Sequence, residues 1–156
     1  MNKFLSTYFF ISLMKLNKLD KQIMEVLIED ARLSFRRIAK QLGVSTATVI
    51  KHVEDLEKKG IIKGYSANID HQKLGYDFKC AILVNLSEDS PEVMQWLLAS
   101  KAVICVYEMT GEYDMVVYAI FRTRENLDKF LKELRNYKAV QNTETKLILN
   151  TIKEKW

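Results

Sequence analysis

Cysteine and histidine are scarce here, two of each in 156 residues, and the scarcity closes several chemistries. Cys80 and Cys105 both lie in apolar, β-like runs, with no Cys-x-x-Cys spacing and no histidine beside them. A zinc site or a redox pair needs such spacing. Both are therefore read as reduced, packed thiols, and neither a metal nor a cofactor is expected. No nucleophile–base pair, metal-ligand cluster or phosphate-cradling glycine loop stands anywhere in the chain, which argues against an enzyme. Low-complexity stretches are missing too, and with 48% hydrophobic residues there is ample material for packed cores.

A membrane-length apolar run is also lacking. Residues Phe4 to Met14 are apolar, with Lys3 before them, and resemble the start of a signal peptide. A bilayer span takes ~20 apolar residues, and no small-x-small cleavage site precedes Lys15-Leu16-Asn17-Lys18. Residues 1–15 are set apart as an N-terminal extension with three readings: an over-long start with Met14 as initiator, an extra helix packing on a partner, or an export signal. The remainder has the character of a cytoplasmic protein with no membrane partner.

Charge of one sign is concentrated in the front of the chain. Met1 to Tyr65 holds 12 Lys+Arg against 7 Asp+Glu, and Ser66 to Trp156 holds 12 against 13. A front half at +5 on a back half at −1 suits a chain with one part facing a polyanion. Charge alone is equally met by a basic surface with no partner.

Apolar periodicity divides the chain further. Leu19, Ile23, Val26 and Leu27 form one helical stripe, with Asp20 placed to cap or charge its start. Ser34 offers the next N-cap, before a stripe of Phe35, Ile38, Ala39 and Leu42. Ser45 caps a third helix to about Lys59, with Val49, Val53 and Leu56 facing inward and Gly60 ending it. Ile61 to Ile69 reads as strand, turn and strand, a wing. Strands are expected over Phe78–Leu86, Val103–Thr110, Met115–Phe121 and Thr143–Ile152. Between them come helices capped by Ser90 and Thr123, the first with Pro91 in its first turn. The order βαββαβ is that of a ferredoxin-like sandwich. The fold class is α+β: a winged helix-turn-helix over 16–70, a linker at 71–76, and the sandwich over 77–156.

The second and third helices carry the features a helix-turn-helix needs: small Ala39 where helices cross, Gly43 where the chain reverses, and Val49 fixing the second helix. The polar side of that helix presents Ser45, Thr46, Thr48, Lys51 and His52, suited to base edges and phosphates. Ser34, Arg36, Arg37 and Lys40 on or before the preceding helix would lie over a phosphate strand. The alternative is a solvated basic face.

An ordered string of motifs carries a family likeness. Leu19-Asp20, Asp30-Ala31-Arg32, Ile38-Ala39-Lys40, Gly43-Val44-Ser45, Leu56-Glu57, Gly60-Ile61-Ile62-Lys63-Gly64-Tyr65, Asp70, Tyr107-Glu108 and Thr110-Gly111-Glu112-Tyr113-Asp114 together resemble the Lrp/AsnC regulators. The likeness runs from about Leu16 to Ile152. It implies a sequence-specific regulator of double-stranded DNA, whose RAM-type sandwich pairs into homodimers and assembles further into tetramers or octamers. It also implies an amino acid or related metabolite bound near Gly111, Glu112, Tyr113 and Asp114. Gly111 permits close backbone approach, Asp114 suits an α-ammonium group, and exposed amides suit a carboxylate. By its residues alone, the same loop is a turn between strands.

Two departures matter. His52 stands where similar proteins carry arginine, which removes a permanent charge and a bidentate donor. Glu112 stands where many have aspartate. Rival readings are an architectural DNA-binding protein of low specificity and an enzyme similar to the sirohaem decarboxylases. The second lacks support: both histidines, His52 and His71, precede the first sandwich strand.

Overall fold

A computed structural model describes residues 16–153; the expectations for the N-terminal extension lie outside these residues. The chain divides into two compact units, one ending at Ala67 and the other beginning at Asn68.

The first unit holds three helices, α1 (Lys18–Glu29), α2 (Phe35–Leu42) and α3 (Thr46–Lys58). Asn17, not Asp20, is the N-cap of α1. Its Oδ1 accepts from the Asp20 amide at 2.8 Å, and Asp20 Oδ2 accepts from the Asn17 amide at 2.9 Å, a reciprocal capping box. Ser34 and Ser45 cap α2 and α3 as their positions predict. Ile23, Val26, Leu27, Ile38, Ala39, Val49 and Val53 bury together as the core. Gly43, at φ 70°, supplies the left-handed residue that turns α2 into α3, and the Val44 amide bonds back to the Ala39 carbonyl at 3.0 Å.

The expected wing strands are not formed among the described residues: 61–69 has neither strand nor bridge. Lys63-Gly64 lacks the Asn-Gly or Asp-Gly pair of a tight hairpin, and an isolated two-stranded ribbon is marginal. The segment is tied instead by the Tyr65 hydroxyl, which donates to Glu57 Oε1 at 2.9 Å.

In the second unit, the expected linker contains a 3₁₀ turn at Gln72–Leu74. Then follow β1 (Phe78–Leu86), α4 (Pro91–Ala99), β2 (Val103–Glu108), β3 (Met115–Phe121), α5 (Arg124–Arg135) and β4 (Val140–Leu147). The sheet is antiparallel in the order β2-β3-β1-β4, the ferredoxin-like arrangement. Cys80, Ile82 and Val84 of β1 alternate inward with Met115, Val117, Ala119 and Phe121 of β3. They pack against Val93 and Leu97 of α4 and Leu127, Phe130, Leu131 and Leu134 of α5. Burial pushes the Cys80 thiol up to about 11, whereas Cys105 is only half-buried.

The last strand begins three residues before the sequence suggests. Leu149 and Ile152, which drew the expectation toward the C-terminus, are 95% and 96% exposed. The actual strand, VQNTETKL, is polar and is held by its ladder to β1, Cys80 opposite Leu147 through Val84 opposite Thr143.

Candidate nucleic-acid interface and effector loop

Helix α3 presents two chemically different sides. Val49, Val53 and Leu56 are almost wholly buried, while Ala47, Ile50, Lys51, Glu54 and Lys58 are exposed. At the N-terminus of the helix, Ser45 Oγ accepts from the Thr48 amide at 3.0 Å and lies 2.8 Å from Thr48 Oγ1. The Ser45 hydroxyl thus caps the helix and is bonded to the Thr48 hydroxyl, beside a half-exposed Thr46. Ser34 Oγ accepts from the Arg37 amide at 3.4 Å. Arg36, Arg37 and Lys40 are all exposed on α2. None of these three, nor Lys51, enters an ion pair among the described residues.

His52 departs from its expected place. Its Nδ1 lies 2.6 Å from Asp20 Oδ1 on α1, with the His52 side chain 22% and the Asp20 side chain 10% exposed. Asp20 is the one buried charged or polar residue among those described. Burial pushes its carboxyl up, but His52, the Asn17 amide and the charge of Lys59 outweigh that and hold it below the ordinary range. Nδ1 of His52 is therefore committed to a bond between α1 and α3. Sequence reading missed this because i-to-i+4 arguments see one helix at a time, and Asp20 and His52 stand 32 residues apart. Ile50 is exposed beside Ala47, away from the Val49 stripe.

The loop between β2 and β3 is fastened at every turn. The Met109 amide donates to the Asp114 carbonyl at 2.8 Å, and the Asp114 amide to the Val84 carbonyl at 3.0 Å. Asp114 Oδ2 accepts from the Leu86 amide at 2.7 Å, and Asn85 Nδ2 donates to the Glu112 carbonyl at 2.9 Å. Tyr113 Oη donates to Glu144 Oε2 at 3.2 Å, and Glu144 also pairs with Lys146. Burial and the adjoining Glu144 carboxylate push the Tyr113 phenol up. Gly111, at φ 121°, occupies a conformation that side-chain-bearing residues rarely adopt. Gly111, Glu112 and Asp114 are exposed, and Tyr113 is half-buried.

The sheet face away from α4 and α5 carries Ala81 and Leu83 of β1, opposite Tyr118 and Val116 of β3. Cys105 and Tyr107 of β2 continue the row on one side, and Glu144 and Lys146 of β4 border it on the other. No described helix is long and apolar enough to cross a membrane.

Residues 16–63 match the family model described as winged helix-turn-helix DNA-binding, and residues 79–155 match the Lrp/AsnC ligand binding domain. An uncharacterized HTH-type transcriptional regulator of Pyrococcus furiosus is 37% identical over 90% of this chain and 96% of its own length. AsnC of E. coli has a similar structure, with TM-score 0.80 and 29% identity over 90% of this chain and 97% of that one. Transcriptional regulator NMB0573 of Neisseria meningitidis, solved as a complex with L-Met, shares the fold with TM-score 0.81 and 22% identity, over 90% and 94% of the two chains.

Proposed function

The chain belongs to the Lrp/AsnC family of transcriptional regulators, and from that premise we propose that it works as a homodimer reading a short inverted repeat in double-stranded DNA. In this reading α3 enters the major groove, with Ser45, Thr46, Thr48 and Lys51 near the bases and backbone. Ser34, Arg36 and Arg37 lie on the flanking phosphates. His52 Nδ1 is bonded to Asp20, and the nitrogen its ring offers to DNA is Nε2. The observation that carries the reading is the two-sided α3: a fully packed inner stripe beneath an exposed outer side, beside three α2 cations paired with no carboxylate among the described residues.

The apolar sheet face away from α4 and α5, with Ala81, Leu83 and Tyr118 half-buried, supports pairing of two copies. A two-fold dimer sets two recognition helices about one DNA turn, or a multiple, apart. Tetramers or octamers are the higher assemblies of this dimer. An amino acid or related metabolite is the proposed effector, bound at the junction of dimers beside Gly111, Glu112, Tyr113 and Asp114. The L-Met complex of the Neisseria protein supports that chemical class. Leu86 holds Asp114 Oδ2, so the polar groups offered to the effector are Asp114 Oδ1, Glu112 and the exposed backbone at Gly111. No catalysis is part of this function.

The test is titration of the full chain onto labelled DNA from upstream of its own gene, with excess non-specific competitor, at two salt concentrations. Binding that survives competitor and weakens steeply with salt is the expected result. Binding lost wholly to competitor identifies an architectural protein instead.

A further inference from the structure

Ala47 and Ile50 are the apolar members of the exposed side of α3, three positions apart and therefore neighbours on the helix surface. Ile50 stays 37% exposed while Val49, Val53 and Leu56 fill the core beneath the helix. It is not needed there, and a β-branched side chain in an exposed helix position lowers helix propensity. Ile28 and Leu98 are more exposed, at 73% and 72%, but they lie on α1 and α4, where nothing indicates an occupant. Ile50 differs because its neighbours do: Lys51 follows it, and Arg36, Arg37 and Lys40 stand exposed on α2, a set that draws a polyanion.

We propose that Ile50 and Ala47 read the C5-methyl groups of thymines in the major groove. Resting on the reading of α3 as the recognition helix, the inference adds what that helix recognises. An alkyl side chain has no donor for guanine O6 or N7 and no acceptor for the amino groups of adenine or cytosine. The apolar group that a base pair shows in the major groove is the thymine methyl. Contact with it removes exposed apolar surface on both partners, and a polar base edge in the same place would lose its water without replacement. Lys51 supplies attraction beside this pair, and Ile50 supplies discrimination.

The experiment selects binding sites for the full chain from a random DNA pool, then replaces each thymine of the selected site singly by uracil, which removes only the methyl. Dissociation constants are measured for the unchanged protein, Ile50→Ala and Ala47→Ser. At one or two positions uracil should weaken the unchanged protein about three- to tenfold. Ile50→Ala should bind the thymine site about as weakly as the unchanged protein binds the uracil site, and should not distinguish the two. Circular dichroism checks that the variants keep their helices, which alanine at an exposed helical position favours. Indifference of the unchanged protein to every uracil overturns the inference while leaving specific DNA binding intact. So does full thymine sensitivity retained by both variants. Failure to enrich any sequence overturns the sequence-specific reading and this inference with it.

Discussion

The two candidate sites are built on opposite plans. At α2 and α3 the cations Arg36, Arg37, Lys40 and Lys51 reach into solvent with no carboxylate engaged among the described residues, while the hydroxyls of Ser34 and Ser45 cap the two helices. In the 109–114 loop, the side chains of Tyr113 and Asp114 are already bonded to the sheet, and what remains open is largely backbone. The first plan suits a partner that is uniformly charged and can be met at many angles, because uncommitted cations cost no broken bonds on binding. The second suits a small partner that must be met in one geometry, because a loop held rigid beforehand loses little entropy when the ligand arrives.

The largest expected effect breaks the first plan. Replacing Arg36, Arg37 and Lys51 together by alanine should remove about three phosphate contacts per protomer, about six per dimer. The slope of log affinity against log salt then falls by about 0.9 for each contact, which amounts to a loss on the order of 10⁵-fold at 0.1 M salt. Oligomer size by light scattering should not move. An unchanged salt slope would show that another surface meets the DNA.

Next in size is the bond behind the interface. His52→Ala leaves Asp20 buried without its ring partner and should destabilise the first unit by about 1–3 kcal/mol, several degrees in Tm. His52→Arg keeps a donor toward Asp20 and should restore most of the loss. The same pair sets an acid limit. Asp20 is held below the ordinary carboxylate range in the folded chain, so it binds protons more readily unfolded than folded. Its stabilisation is complete above the unfolded value of about 3.9 and disappears as pH falls through the lower folded value. Acid unfolding followed by circular dichroism should lose this component in Asp20→Asn. A parallel acid curve for that variant would deny Asp20 the role.

The contrast also explains what could be read from sequence. Helix caps and buried stripes are local: Ser34, Ser45, Val49 and Val53 state their places by spacing alone, and β1 and β3 lie where their apolar runs put them. The misses are relations across distance. The spacing of α3 puts His52 on its polar face, and the bond to Asp20 is invisible from within that helix. β4 was drawn toward Leu149 because its real strand is polar and is fixed by pairing with β1. The segment over 61–69 differs for a third reason: alternation suggests two strands, but without a favourable turn they do not pair among the described residues. In the loop, the glycine was legible and the Leu86 bond to Asp114 was not.

The smallest effects sharpen the second plan. Asp114→Ala deletes an exposed bond to the Leu86 amide and should cost about 0.5–1 kcal/mol, too little to disturb dimerisation, yet it frees one end of the loop. Faster hydrogen exchange at Leu86, with β2 and β3 unchanged, would register that release. Tyr113→Phe removes only the hydroxyl bonded to Glu144 and should loosen the loop less. If rigidity of the loop is what makes effector binding productive, both variants weaken a response to added amino acids, Asp114→Ala more than Tyr113→Phe. A response that Asp114→Ala abolishes and Tyr113→Phe leaves whole would instead mean that the Asp114 carboxylate itself holds the effector. A response untouched by either would remove the loop from the site.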